Sequence, residues 1–152
     1  MRVLIATDGE QAGDEALRCA AEMFGSDAQY TVLSVGVPVP YTSITPFGIV
    51  PAMMAIGDPD ALGRPAEHAR QVAEDGAAQL ESEDLDVEWI AEVGGPGATI
   101  CAVAAEEDID VIVIGVHERG WLAKMLEGST TSDVVDDAPC HVLVVRSDSN
   151  EG

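Results

Sequence analysis

From Gly115 to Thr131 the chain reads GVHERGWLAKMLEGSTT, and its residue types suit an anion. Gly115, Gly120 and Gly128 punctuate the stretch, Arg119 and Lys124 charge it, and Ser129, Thr130 and Thr131 follow the last glycine. A helix is predicted over 129–138, so unpaired backbone N–H groups and the positive end of a helix dipole face outward at its start. With three hydroxyls beside them, these groups form a site a phosphate can occupy. Ser129 could equally serve only as the helix cap. Two of the seven basic residues of a very acidic chain fall in this stretch, which favours the anion. Glu118, in its middle, opposes it. No G-x-x-x-x-G-K-[ST] loop occurs and no G-x-G-x-x-G follows the first apolar run, which argues against Walker-type and dinucleotide sites.

A second candidate is Thr7-Asp8-Gly9, directly after the apolar run RVLIA. Asp8 can contact a ligand or simply turn the chain by bonding a backbone N–H two residues on. The remaining chemistry-bearing residues form no pattern. His68, His117 and His141 lack metal-ligand spacing, and His117 and Cys140 have no recognisable partner for nucleophilic or general-base work. Cys19, Cys101 and Cys140 stand far apart without a C-x-x-C pair, and read as small core hydrophobes of a reducing compartment.

The elements that must position these residues follow from hydrophobic periodicity. Strands are predicted at 2–7, 30–35, 86–93, 111–115 and 141–146. Helices fall at 10–24, 65–82, from the GGPGAT segment through Ala104, and at 129–138. On the first helix Ala16, Leu17, Ala20, Met23 and Phe24 mark one face; on the last, Val134 and Val135 are expected inward. The segment 36–63 is rich in Pro and Gly, a long connection of the kind that is functional, carries its own short helix or is mobile. Strands alternating with helices, two of them uninterrupted Val/Ile/Leu runs, predict an α/β domain. It should hold a five-stranded parallel sheet with helices on both faces. Ligands of such sheets bind beyond the carboxyl ends of the strands, where strand order reverses. Both candidate segments lie at such ends.

Composition bounds the rest. The 152 residues suffice for one domain with a proper core, and 47% of them are hydrophobic. No apolar run approaches the roughly 20 residues needed to cross a bilayer. MRVLIATDGE has no leader-like pattern, which leads us to expect a cytoplasmic protein. Twenty-eight acids against seven bases give a formal charge of −21, and the acids are spread along the chain. Such self-repulsion is relieved where salt screens it, as in a salt-adapted cytoplasm; a basic partner is the alternative. Nucleic-acid binding is disfavoured, because neutralising phosphates needs a basic face.

The loop after the fourth main strand resembles the hallmark of the universal stress proteins: G-x-x-G, nine residues, then G-[ST]. Gly115-Val116-His117-Glu118 fill the first four places, Arg119 to Glu127 the nine, and Gly128-Ser129 the end. VLIATDGE, PGATI, AAEEDIDVIVIG and APCHVLVVR are similar to other family landmarks, so the resemblance covers essentially the whole chain, as one domain over 1–147 with a short tail.

The resemblance implies a UspA-like, three-layer doubly wound sandwich of strand order 3-2-1-4-5, of the Rossmann-like, adenine nucleotide alpha hydrolase type. It also implies an adenine nucleotide, ATP or AMP, with Mg²⁺ or Mn²⁺ if ATP. Asp8, after Thr7, would hold adenine or ribose, and backbone near Val35 would meet adenine. Gly115 and Gly128 would let backbone approach the phosphates, and Ser129 and Thr130, with Thr131, would hydrogen-bond them. The last strand, Val142, Leu143, Val144 and Val145, would pair across a two-fold axis in a homodimer. The role implied is regulatory and not enzymatic.

Glu118 departs from the pattern by replacing the second motif glycine. A like charge about 5 Å from a phosphate costs under ~1 kcal/mol at water's dielectric and roughly 3 at an effective 20. Three readings result: a nucleotide-binding regulator, an interaction protein of the same fold that lost the nucleotide, and, least favoured, a hydrolase.

Overall fold

The computed structural model describes residues 1–37, 42–45, 48–51, 63–117 and 130–147. Its elements in chain order are β1 (Arg2–Ala6), α1 (Gln11–Phe24), a 3-10 turn (Gly25–Asp27) and β2 (Gln29–Gly36). Then come β3 (Thr42–Thr45), β4 (Gly48–Pro51), α2 (Gly63–Glu81), β5 (Asp86–Val93) and α3 (Pro96–Glu106). β6 (Val111–His117), α4 (Thr130–Asp137) and β7 (His141–Ser147) are the last elements among the described residues.

Five strands form one parallel sheet in the order β5-β2-β1-β6-β7. Counting only these strands, the order is 3-2-1-4-5, as the resemblance implied. β3 and β4 form a separate antiparallel pair, Thr42 opposite Pro51 and Thr45 opposite Gly48. This hairpin lies inside the Pro/Gly-rich connection, where periodicity predicts no strand and the sequence allows for a short helix.

Alternation along the inner strands divides the core between the two faces of the sheet. Val3, Ile5, Tyr30, Val32 and Val113 point to one face, where Ala16, Leu17 and Ala20 of α1 and Ala77 and Leu80 of α2 cover them. Leu4, Ala6, Leu33, Ile112 and Ile114 point to the other, under Ile100, Val103 and Ala104 of α3 and Val134 of α4. Val111 to Ile114 are all buried, as a strand covered on both faces requires. The helices bury narrow stripes of small residues, so they lie close to the sheet.

Two expectations about inward positions are corrected. Val134 is fully buried, but Val135 is 48% exposed. Neighbours on a helix stand about 100° apart, and the one narrow buried face of α4 has room for one of them. Met23, placed on the inner face of α1, is 59% exposed, whereas Ala16, Leu17 and Ala20 are buried. No described helix is long and apolar enough to cross a membrane.

Candidate functional site

Strand order reverses between β1 and β6: β2 and β5 extend to one side, β7 to the other. The register brings Ala6 of β1 beside Ile114 of β6 and Leu33 of β2. Thr7 and Gly115 therefore stand one residue further on at the carboxyl ends of adjacent strands, with Val35 two residues past Leu33. Thr7, Asp8, Val35 and Gly115 thus gather at one end of three neighbouring strands, at the switch point where such sheets take ligands.

Local bonding explains how the first segment holds its shape. The Thr7 N–H donates to the Leu33 carbonyl at 2.9 Å, which continues the sheet ladder one residue past β1. Thr7 is buried, and its hydroxyl accepts the Gly9 N–H at 3.1 Å. Asp8 is exposed, and its Oδ1 accepts the Glu10 N–H at 2.9 Å. This is the turn-forming use of Asp8 that the sequence allowed. It engages one carboxylate oxygen and leaves Asp8 exposed beyond the carboxyl end of β1. Gly9 takes φ +84°, a left-handed conformation that side-chain-bearing residues adopt at a cost.

Gly115 has a packing role as well. A Cβ placed on it would lie 1.9 Å from the carbonyl oxygen of Ala12, in the first turn of α1. Its φ is not left-handed, so close helix-to-strand approach is what excludes a side chain there. The motif alone assigns this glycine to phosphate approach or chain conformation. Its packing against α1 has no sequence signal, because no single residue of α1 announces it.

Val35 is partly buried against the cluster under α3 and α4, and its row pairs with Glu92 of β5. Thr130 and Thr131 open α4; Thr130 is half-buried, and Thr131 is buried at 7% exposure. Gly128, Ser129, Glu118, Arg119 and Lys124 lie outside the described residues. Val142, Leu143 and Val144 are half-buried on β7, and Val145 already belongs to the core under α1.

Cys101 on α3 and Cys140 before β7 are half-buried free thiols packed against the same cluster. Burial pushes the Cys101 thiol up, with Asp137 adding to it. Burial also raises Cys140, against a backbone hydrogen bond at Ile112. Neither resembles an activated nucleophile, whose thiolate is favoured by its surroundings.

The fold defines a doubly wound α/β domain with the candidate residues at its β1/β6 switch point. Within that class the chain belongs to the universal stress protein family: the family match spans residues 1–146. A universal stress protein of Thermus aquaticus is 30% identical over 145 residues, covering 95% of this chain and 97% of the relative. The solved UspA of Lactobacillus plantarum shares 26% identity with a TM-score of 0.72, over 96% of this chain and 97% of that one. A universal stress protein of Arabidopsis thaliana, solved with AMP bound, is similar at 16% identity and a TM-score of 0.67, over 99% and 94% of the two chains.

Proposed function

We propose that this chain is a regulatory, non-enzymatic stress-response protein. In this reading it takes an adenine nucleotide, ATP or AMP, at the carboxyl ends of β1 and β6, and it works as a homodimer paired through β7. The observation that carries the reading is the convergence of Thr7, Asp8, Val35 and Gly115 at one end of three adjacent strands around the switch point. The AMP bound to the Arabidopsis relative supports the ligand class. In this arrangement Asp8 faces ribose or adenine with the oxygen its turn does not use. Gly128, Ser129, Thr130 and Thr131 serve the phosphates, and Mg²⁺ or Mn²⁺ accompanies ATP.

A second reading has its own observation. The turn at Asp8 and the Ala12 contact at Gly115 both account for these residues without a ligand. A fold that lost its nucleotide and serves as an interaction protein would keep them.

Titration with ATP, AMP and adenosine at molar KCl, with and without Mg²⁺, separates the two. Asp8→Asn retains an oxygen for the turn and removes the charge, so it should leave the melting temperature unchanged and weaken nucleotide binding. Glu118→Gly should tighten ATP binding about tenfold for a relief of ~1.4 kcal/mol, and adenosine binding much less. Nucleotide binding by neither the parent chain nor Glu118→Gly selects the interaction protein.

A further inference from the structure

The amino-terminal end of the sheet, opposite the proposed nucleotide site, carries a polar cleft of about 100 Å³. Register builds it. Arg2, Gln29 and Asp86 form one row across β1, β2 and β5; Leu4, Thr31 and Glu88 form the next-but-one row on the same face. Leu4 lies under α3, so this is the α3 face. The turn after α3 closes the side with Glu107 and Ile109. That turn is pinned: the Arg2 N–H donates to Asp110 Oδ2 at 2.7 Å, and the Asp110 N–H donates back to the Arg2 carbonyl at 2.9 Å.

The chemistry of the lining is lopsided. Arg2 is its single cation, and its Nη1 is tied back to the Glu107 carbonyl at 2.6 Å. Asp86 accepts a long bond from the Gln29 amide at 3.5 Å, while no hydrogen bond engages the Glu88 or Glu107 carboxylate among the described residues. The decisive group is Thr31. It is buried to 9% exposure and lines the cleft, and its hydroxyl has no hydrogen-bond partner among the described residues. Its hydroxyl therefore faces whatever occupies the cleft, and a ligand donor there can replace water as its partner.

We propose that this cleft binds a primary ammonium group on a short alkyl stem. The three N–H donors of one compact centre match the acceptors that line the cleft, the Glu88 and Glu107 carboxylates and the Thr31 oxygen. Ile109 gives the stem an apolar wall, and a cleft with room for about three waters admits the head group and little more. Among the described residues no three His, Cys, Asp or Glu side chains converge on a metal position. The cleft is separate from the proposed nucleotide site and does not depend on it.

Backbone amide shifts of the full-length protein, followed at constant ionic strength, test the site. Methylammonium should give saturable shifts centred on Thr31, Glu88 and Glu107, and 1,4-diaminobutane or a capped lysine amide should reproduce them. Whichever of those two saturates at lower concentration identifies a free amine or a lysine side chain as the better source. Tetramethylammonium, with the same charge and no N–H, and K⁺ should not reproduce them. Thr31→Val should weaken methylammonium binding about fivefold and leave the melting temperature nearly unchanged, because it removes a hydroxyl that no described residue bonds. Glu88→Gln should weaken it about tenfold. Matching shifts and midpoints for methylammonium and K⁺, or undiminished binding by Thr31→Val, would show a diffuse counter-ion layer and overturn the proposal.

Discussion

The two outer strands of the sheet have the same kind of neighbour and opposite surfaces. β5 pairs with β2 along all eight of its rows, and β7 pairs with β6 along all seven. On β5, Asp86, Glu88 and Glu92 are exposed, together with Trp89 and Val93. On β7, Val142, Leu143 and Val144 form an uninterrupted half-buried run, with charge only at its carboxyl end, on Arg146. An edge strand offers unpaired backbone groups to any similar edge, and charged side chains are a usual deterrent. Two β5 edges brought together would align carboxylates in a molecule that already carries a formal charge of −21. Two β7 edges would align valines and a leucine. The contrast makes β7 the better edge for the proposed dimer and β5 the guarded one.

The strongest way to break this contrast is to give β7 the character of β5. Val142→Glu with Val144→Glu should convert the proposed dimer to monomer, with a dissociation constant at least about a hundredfold weaker. A two-fold interface meets both changes twice. Each like-charged cross-strand pair costs roughly 0.2–1 kcal/mol, in addition to the apolar packing that the valines provide. Light scattering across a concentration series measures it. A dimer that survives would place the interface elsewhere. The reverse exchange has a smaller effect. Glu88→Val with Glu92→Val strips two guards from β5 and should add a weak, concentration-dependent association beyond the dimer, visible by sedimentation. An unchanged sedimentation profile would mean that the acids are not what keeps this edge apart.

Salt acts on the same electrostatics without a mutation. At about 1 M KCl the Debye length is near 3 Å, and repulsion among the spread acids is largely screened. The melting temperature should rise by about 5 °C from dilute buffer, roughly 2 kcal/mol for a chain of this size. The β5 double variant should rise less, having two fewer charges to screen. A flat response would remove self-repulsion as a term in stability and revive a basic partner as the reason for the acidity.

The strands of this domain were legible in the sequence because buried parallel strands are apolar without interruption, and VIVIG admits few other readings. β5 was legible for a different reason, its Val, Trp and Ile spaced by acids. The hairpin of β3 and β4 was not, because strands of four residues, one ending in Pro51, present too few positions for a period to show. Helix faces were legible where a stripe of small residues repeats, as in α1. They failed at Met23 and Val135, where an apolar residue stands beside the stripe and only packing reveals which neighbour turns inward.

At the candidate site, residue types and strand ends were readable, and parallel topology gathers Thr7, Asp8, Val35 and Gly115. What could not be read was why each is there. The Ala12 carbonyl that excludes a side chain at Gly115 is a tertiary contact across more than a hundred residues of chain. The Thr31 cleft was equally hidden, since it exists only once three strands adopt one register. The loop carrying Glu118 and Ser129 lies outside the described residues, so its part of the reading still rests on motif spacing.

The smallest expected effect comes from Cys140, which immediately precedes β7. Burial raises its thiol above the ordinary range, so little thiolate is present near neutral pH. Alkylation by iodoacetamide should therefore be slower than for a free cysteine at pH 8 and should gain speed as pH rises. The sign for stability is the opposite of the usual carboxylate case. A thiol whose folded pKa is raised contributes stability below its unfolded pKa, and loses it as pH climbs through the ordinary thiol range toward the folded value. Cys101, raised by burial and by Asp137, acts in the same direction. If β7 is the paired edge, the Val142→Glu, Val144→Glu monomer should expose the start of this strand and alkylate Cys140 about twofold faster, with the rate at Cys101 on α3 serving as the internal reference. Mass spectrometry of the two modified peptides over a time course measures the ratio. Equal acceleration at both cysteines would indicate that the substitutions loosened the cluster they share, and not that an edge was uncovered.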